Sequence, residues 1–270
     1  MRILPKKSLG QNFLIDQNIR RKIVASLDLG PSDIVLEIGA GKGELTGLIA
    51  QKAGKIYALE IDRRLLTGLR ESFAGSDNIQ VIDQDILKLD LGCFIKNNKI
   101  KGKLKAFGNI PYYISSPIIE HLLKFRGQLS AIFITVQKEF AVRLASPPGS
   151  KEYGSFSCFA QYYTEPKILF HISRNCFKPS PKVDSSFLEL KMREEPAVKV
   201  SDEEIFFKII RTAFNQRRKT LRNSLSGIIS ERSLNEFFAK SGLESGVRPE
   251  RLSLHDFALL ANHKFLAKNT

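Results

Sequence analysis

Apolar positions change their period along this chain. From Ile34 onward, short β-branched and apolar runs alternate with longer segments whose apolar residues return every three or four positions. That alternation predicts strands joined by crossover helices in a mainly parallel sheet, an α/β arrangement. The strands fall at 34–38, 55–61, 79–82, 103–107, 129–136, 167–172 and 183–192. The apolar run at 156–163 does not settle its own period, and helix and strand both remain open there. Past Lys191 the pattern turns polar over 193–204, which includes Pro196 and reads as a linker. No strand-like segment follows. Ser201 and Glu204 form a capping-box pair, and Ile210, Phe214, Leu221 and Leu225 then recur at helical steps, predicting one long helix. Shorter helices are expected at 233–241, closed by Gly242, and at 253–262. The expected organisation is an α/β domain over 1–195 and a small all-helical domain over 196–270, without internal repeats.

At 270 residues, the chain is long enough for one large or two modest cores, and 43% hydrophobic with 26% charged residues excludes disordered and collagen-like classes. The best apolar run, 131–136, is far short of the roughly 18 residues that a membrane span requires. The N-terminus lacks the apolar core of a secretion signal, so neither membrane insertion nor export is expected. Cys93, Cys158 and Cys176 are odd in number, widely spaced and not grouped with the four histidines. A reduced cytoplasmic setting and no metal site are expected.

Charge adds more. With 42 Lys and Arg against 28 Asp and Glu, the net charge is +14, and a surface of that sign attracts polyanions, nucleic acid foremost. Basic residues cluster in 1–27 and again over 211–222. On the predicted long helix, Arg211, Arg218 and Arg222 share a face beside the apolar stripe, while Arg217 falls within the stripe and is expected to be packed or paired. The face is a candidate RNA track; a merely solvated basic face is the alternative.

The chemistry-bearing motifs sit at strand ends. Residues 37–43, EIGAGKG, put glycines at a strand-to-helix turn, where backbone approaches a ligand closely. Their spacing is GxGxG rather than the dinucleotide fingerprint GxGxxG, so a plain structural turn stays open. Glu60 closes the second strand, where a carboxylate can take both hydroxyls of a ribose, and Asp85 follows the third, placed for an exocyclic amine. Three such sites in order fit an adenosyl ligand, the alternative being solvated loop carboxylates. After the fourth strand comes the most specific signal, NIPYY at 109–113. There the Asn109 amide oxygen and the Pro111 carbonyl can each accept a hydrogen from an aromatic amine while Tyr112 stacks on its ring.

Together these residues resemble a class I, Rossmann-like methyltransferase using S-adenosylmethionine. With KKSLGQNFL at 6–14, FKPSPKVDSSFLEL at 177–190, AFNQRRKTLRNSL at 213–225 and RPERLSLHDFALLA at 248–261, the chain looks like the bacterial ribosomal RNA small-subunit adenine N6-dimethyltransferases, the KsgA/RsmA family. The resemblance spans nearly the whole chain and implies a role for each matching residue. Asn12 and Leu14 would border the methionine end of the cofactor, Gly39 and Gly41 would meet it at the turn, Glu60 would hold the ribose and Asp85 the adenine. Asn109 would serve both cofactor edge and target base. Phe177 would join Tyr112 in sandwiching the flipped adenine. The sequence departs from the family pattern at Ile110, at Ala40 and at Tyr113, where Asn is usual; the paired tyrosines leave open which ring stacks.

The activity implied is dimethylation of two adjacent adenosines in the 3′-terminal hairpin loop of 16S ribosomal RNA, on a partly assembled 30S subunit, by a cytoplasmic monomer. Other readings are a large-subunit adenine methyltransferase, a DNA adenine methyltransferase and a non-catalytic assembly factor on the same fold. A cytosine C5 mechanism would need a cysteine in the catalytic loop, and a nicotinamide dehydrogenase would need the other glycine spacing and a placed acid or base. Neither signal is present.

Overall fold

The computed structural model describes residues 10–216 and 218–262. Its strands are β1 (Ile34–Ile38), β2 (Lys55–Glu60), β3 (Ile79–Asp83), β4 (Leu104–Gly108), β5 (Leu129–Gln137), β6 (Thr164–Ile172) and β7 (Ser185–Met192). Its helices are α1 (Gln17–Ser26), α2 (Glu44–Ala50), α3 (Arg63–Ser72), α4 (Leu91–Asn97), α5 (Ser115–Lys124), α6 (Lys138–Ala145), α7 (Ser155–Tyr163), α8 (Glu203–Phe214), α9 (Leu221–Leu225), α10 (Glu231–Ser241) and α11 (Leu254–Asn262). The seven strands form one sheet in the order β3-β2-β1-β4-β5-β7-β6. Neighbours from β3 to β5 are parallel, and β7 runs antiparallel to β5. All seven strands named from the sequence are present, with ends shifted by up to three residues.

Burial explains why the central strands read as continuous apolar runs rather than alternating ones: β1 and β2 are buried along nearly their whole length, as parallel strands covered on both faces must be. Edge position explains a second feature, because β6 contains Pro166, which has no N–H to give a ladder, and β6 is the outermost strand. The core of this sheet gathers Val35, Ile56, Phe107, Phe133 and Phe187. Phe187 is fully buried, its ring centroid 5.4–6.2 Å from those of Phe107, Phe133 and Phe170.

Two compact units emerge. Among the described residues, one comprises 10–141 together with 167–192; the other takes 142–166 together with those from 193 to 262. Residues 142–166 therefore group with the helices that follow the linker, although the sequence pattern puts them before it. The reason is aromatic packing: the 156–163 run is helical, and Tyr162 on α7 meets Phe206 and Phe207 on α8 at 5.1 and 5.2 Å. In the same unit Phe214 lies 6.0 Å from both Tyr153 and Phe257.

The long helix expected after Ser201 is two helices. α8 ends at Phe214 and α9 begins at Leu221, whose N–H goes to the Val247 carbonyl at 2.8 Å rather than to a carbonyl one turn earlier. Thr220 caps the new start by accepting from Asn223 N–H. Arg211 thus sits on α8, Arg218 between the helices and Arg222 on α9, so they do not share one helical face. The cap of α8 is Asp202, which accepts from Ile205 N–H, rather than Ser201. Arg217, and the basic Arg2, Lys6 and Lys7, lie outside the described residues. Among the described residues no helix is long and apolar enough to cross a membrane.

Phe187→Ala is expected to lower unfolding free energy by about 3–5 kcal/mol, the range for removing a buried ring, in chemical denaturation.

Candidate functional site

Four neighbouring parallel strands end at the same side of the sheet, and a segment with candidate residues lies at each of these ends. β1 runs into Gly39, β2 ends on Glu60, β3 leads to Asp85 and β4 leads to Asn109. The register aligns these ends: Ile38 pairs with Leu59 and Gly108, and Glu60 pairs with Asp83. The sheet reverses its winding between β1 and β4, and the crevice beyond the carboxyl ends at such a point is where open α/β sheets take ligands.

A cavity of about 320 Å³ opens there. Its walls contain Asn12, Leu14, Gly39, Gly41, Glu60, Asp85, Asn109, Pro111, Tyr112 and Phe177, all ten cofactor and catalytic candidates read from the sequence. The three arginines belong to the other compact unit. Arg211 and Arg218 are exposed, whereas Arg222 is engaged within its own unit by Glu231 at 3.5 Å, Asn235 at 2.6 Å and the Phe238 ring.

The glycine turn carries positive φ at Gly39 (74°) and Gly41 (62°), conformations that side chains resist. A Cβ placed on Gly39 would meet nothing within 4 Å, so the backbone borders open space. Glu60 fixes this turn from the neighbouring strand. Its Oε2 accepts Gly41 N–H at 2.8 Å, and its Oε1 accepts Ile61 and Asp62 N–H at 2.9 and 2.8 Å. Asp62 caps α3 and takes Gln11 Nε2 at 3.0 Å and the Arg64 guanidinium at 2.6–2.9 Å. The Arg64 hydrogen bonds, opposed by burial, hold the Asp62 carboxyl down at about 2.

The N-terminal segment closes another wall. Phe13 and Leu14 pair antiparallel with Lys178 and Phe177, which brings Leu14 opposite Phe177. Arg20 donates to the Leu14 carbonyl and pairs with Glu44 at 2.7 Å. Asn109 Nδ2 donates to the Asn12 carbonyl at 3.4 Å, which leaves the amide oxygen as the end available to an incoming donor. The Pro111 carbonyl accepts Ile114 N–H at 3.2 Å and retains one lone pair. Tyr112 bonds Ser185 Oγ through its hydroxyl at 2.5 Å, and burial raises its phenol pKa above the ordinary value. Phe177 is buried at 3% exposure, belonging to the core while still bordering the cavity.

Glu37 opens the glycine motif, whose sequence assigns it no role of its own. It is buried, lies in the cavity wall, and its Oε2 has no hydrogen-bond partner of normal geometry; neither has the hydroxyl of Thr46. Burial, reinforced by the Glu60 charge and opposed by the nearby Thr46 hydroxyl, pushes its pKa up to about 8. An acid inside an otherwise apolar strand is the signal for it. Gln11, Arg20 and Ser185 leave no comparable signal, because each acts through a partner distant in sequence. Among the described residues no group of three or more His, Cys, Asp and Glu is placed to hold a metal ion.

Residues 4–265 match the family model described as ribosomal RNA adenine dimethylase. The ribosomal RNA small subunit methyltransferase A of Moorella thermoacetica is 42% identical over 265 residues, covering 96% of this chain and 92% of that protein. Among solved structures, the dimethyladenosine transferase from Plasmodium falciparum superposes with TM-score 0.74 at 25% identity, covering 92% of this chain and 95% of the other. The 23S rRNA methyltransferase ErmE superposes with TM-score 0.74 at 26% identity over 92% and 98%.

The folded protein keeps a proton on Glu37 that the unfolded chain releases near 4.5, so the native state loses stability as pH rises from about 4.5 to about 8. Glu37→Gln should flatten that slope in denaturation curves taken across this window; an unchanged slope would place its origin elsewhere.

Proposed function

The chain belongs to the ribosomal RNA adenine dimethylase family, and from that premise we propose that it transfers methyl groups from S-adenosylmethionine to N6 of two adjacent adenosines in the 3′-terminal hairpin loop of 16S ribosomal RNA. The observation that carries this reading is that one cavity gathers the glycine turn, the two strand-end acids and the NIPYY segment. Greater identity to the small-subunit relative than to the large-subunit enzyme favours the small subunit as substrate. A pre-30S particle in the cytoplasm is the setting proposed, with the chain acting as a monomer.

The residues fit the cofactor. Open space beside Gly39 admits a ligand against the backbone, Glu60 and Asp85 provide acceptors in the order ribose then adenine, and Ile61 and Leu87 offer apolar walls. The orphaned oxygen of Glu37 leaves a buried polar position in the wall for a ligand hydrogen bond. When bound, S-adenosylmethionine supplies a methyl group already activated on a sulfonium. The protein's task is then alignment and acceptance of the amine hydrogens. Asn109 Oδ1 and the remaining lone pair of the Pro111 carbonyl accept hydrogen bonds from the amine, which turns the N6 lone pair out of conjugation with the ring, and the proton displaced at each methylation leaves to solvent. Tyr112, held by Ser185, gives one face for the flipped base, and the edge of Phe177 gives an apolar limit on the other side. Arg211 and Arg218 bind RNA phosphates, with Arg222 contributing less because it is already paired.

With labelled S-adenosylmethionine and unmethylated small subunits, mass spectrometry is expected to find dimethyladenosine at two adjacent loop positions; label confined to another RNA would overturn the substrate. Asn109→Ala should lower the single-turnover rate by about a hundredfold, the scale for losing one placed polar partner of a reacting group. Charge reversal at Arg211 and Arg218 should reduce the salt slope of RNA binding by about one for each phosphate no longer neutralised.

A further inference from the structure

The described surface exposes five large apolar side chains, Ile15, Ile61, Leu87, Tyr113 and Val183. Ile61, Leu87 and Tyr113 line the cavity. Tyr113 is the most exposed of the five, at 64%, and the sole aromatic among them. Scattered apolar residues need no explanation, but a ring left in water at the mouth of a ligand cavity does.

Local geometry separates it from its neighbour. Tyr112 and Tyr113 are consecutive in the 3₁₀ turn Tyr112–Ile114, where successive side chains diverge by about 120°. Tyr112 is tied by its hydroxyl to Ser185. One ring is therefore anchored in the wall while the next stands at the rim. Gly10 backs that outer ring closely: a methyl group built there would lie 3.1 Å from Tyr113 Cε1 and 3.3 Å from Cδ1. A larger residue at position 10 would displace the ring, and the glycine leaves it a seat.

We propose that Tyr113 is a specificity residue, the stacking platform for the base of the nucleotide next to the adenosine whose own base enters the cavity. The inference rests on the reading that the cavity takes an adenine flipped from an RNA loop. Flipping removes a stacking partner from the adjacent base, and an aromatic ring at the rim replaces it. Stacking tolerates any base, so this platform selects for the presence of a neighbour rather than for its identity.

The test uses small subunits reconstituted with rRNA that is intact or abasic at the nucleotide on either side of one target adenosine. On intact subunits, Tyr113→Ala should raise KM about tenfold, within the range for losing one base–aromatic stack, and Tyr113→Phe should restore it. On one of the two abasic substrates, wild type and Tyr113→Ala should show the same KM. Three results would overturn the proposal: an unchanged KM on intact subunits, an equal loss with and without each flanking base, or failure of Tyr113→Phe to rescue. An equal loss would point to a ribosomal protein as the partner of the ring, and failed rescue to a hydrogen bond from the hydroxyl to phosphate. Absence of methylation of intact subunits by wild type would instead overturn the underlying reading, and this proposal with it.

Discussion

The Glu60 carboxylate is nearly inaccessible to solvent, yet it accepts three backbone N–H groups, from Gly41, Ile61 and Asp62. A buried charge is tolerated only when it is hydrogen bonded in this way. By holding Gly41 from the adjacent strand, it fixes the glycine turn in a positive-φ path that the backbone would otherwise visit only transiently. By holding Asp62 it fixes the start of α3, and through Asp62 it reaches Gln11 and the N-terminal segment. Loss of that carboxylate would release the turn, the cap and the segment together.

Two acids near this carboxylate, Glu37 and Asp62, meet different fates. Asp62 is driven toward ionisation by the Arg64 guanidinium, whereas Glu37, buried without a full set of partners and facing the Glu60 charge, retains its proton near neutrality. Of these two, only Glu37 lines the cavity, so the wall presents its neutral carboxyl near pH 7. A cationic ligand in the cavity would favour release of that proton.

The target side of the cavity depends on the direction of β7. Because β7 runs antiparallel to β5, its first residue, Ser185, arrives opposite Gln137 at the end of the sheet that carries Asn109. A parallel strand would have delivered its last residue there instead. Ser185 then anchors Tyr112, while the two-residue ladder between Phe13–Leu14 and Phe177–Lys178 brings the N-terminal segment and the connection between β6 and β7 into one wall.

The strands, the glycine turn, the strand-end acids and the NIPYY segment were legible in the sequence, because each rests on local physics: burial on two faces, positive φ, and the chemistry of a side chain at a strand end. The order of strands and the convergence of their ends follow from long-range pairing, to which no local period is sensitive. The same limit explains the expected long helix. Ile210, Phe214, Leu221 and Leu225 satisfy a helical period whether one helix carries them or two, and only the Leu221 bond to the distant Val247 carbonyl decides for two. The run at 156–163 became a helix because Tyr162 has phenylalanines on α8 to pack against. Gln11, Arg20 and Ser185 acquire their roles from partners far along the chain, and Glu37 acquires its proton from burial. The sequence thus determined which groups the protein possesses and the end of each strand at which they lie, and tertiary structure decided which of them meet, since contact and desolvation exist only once the chain has folded.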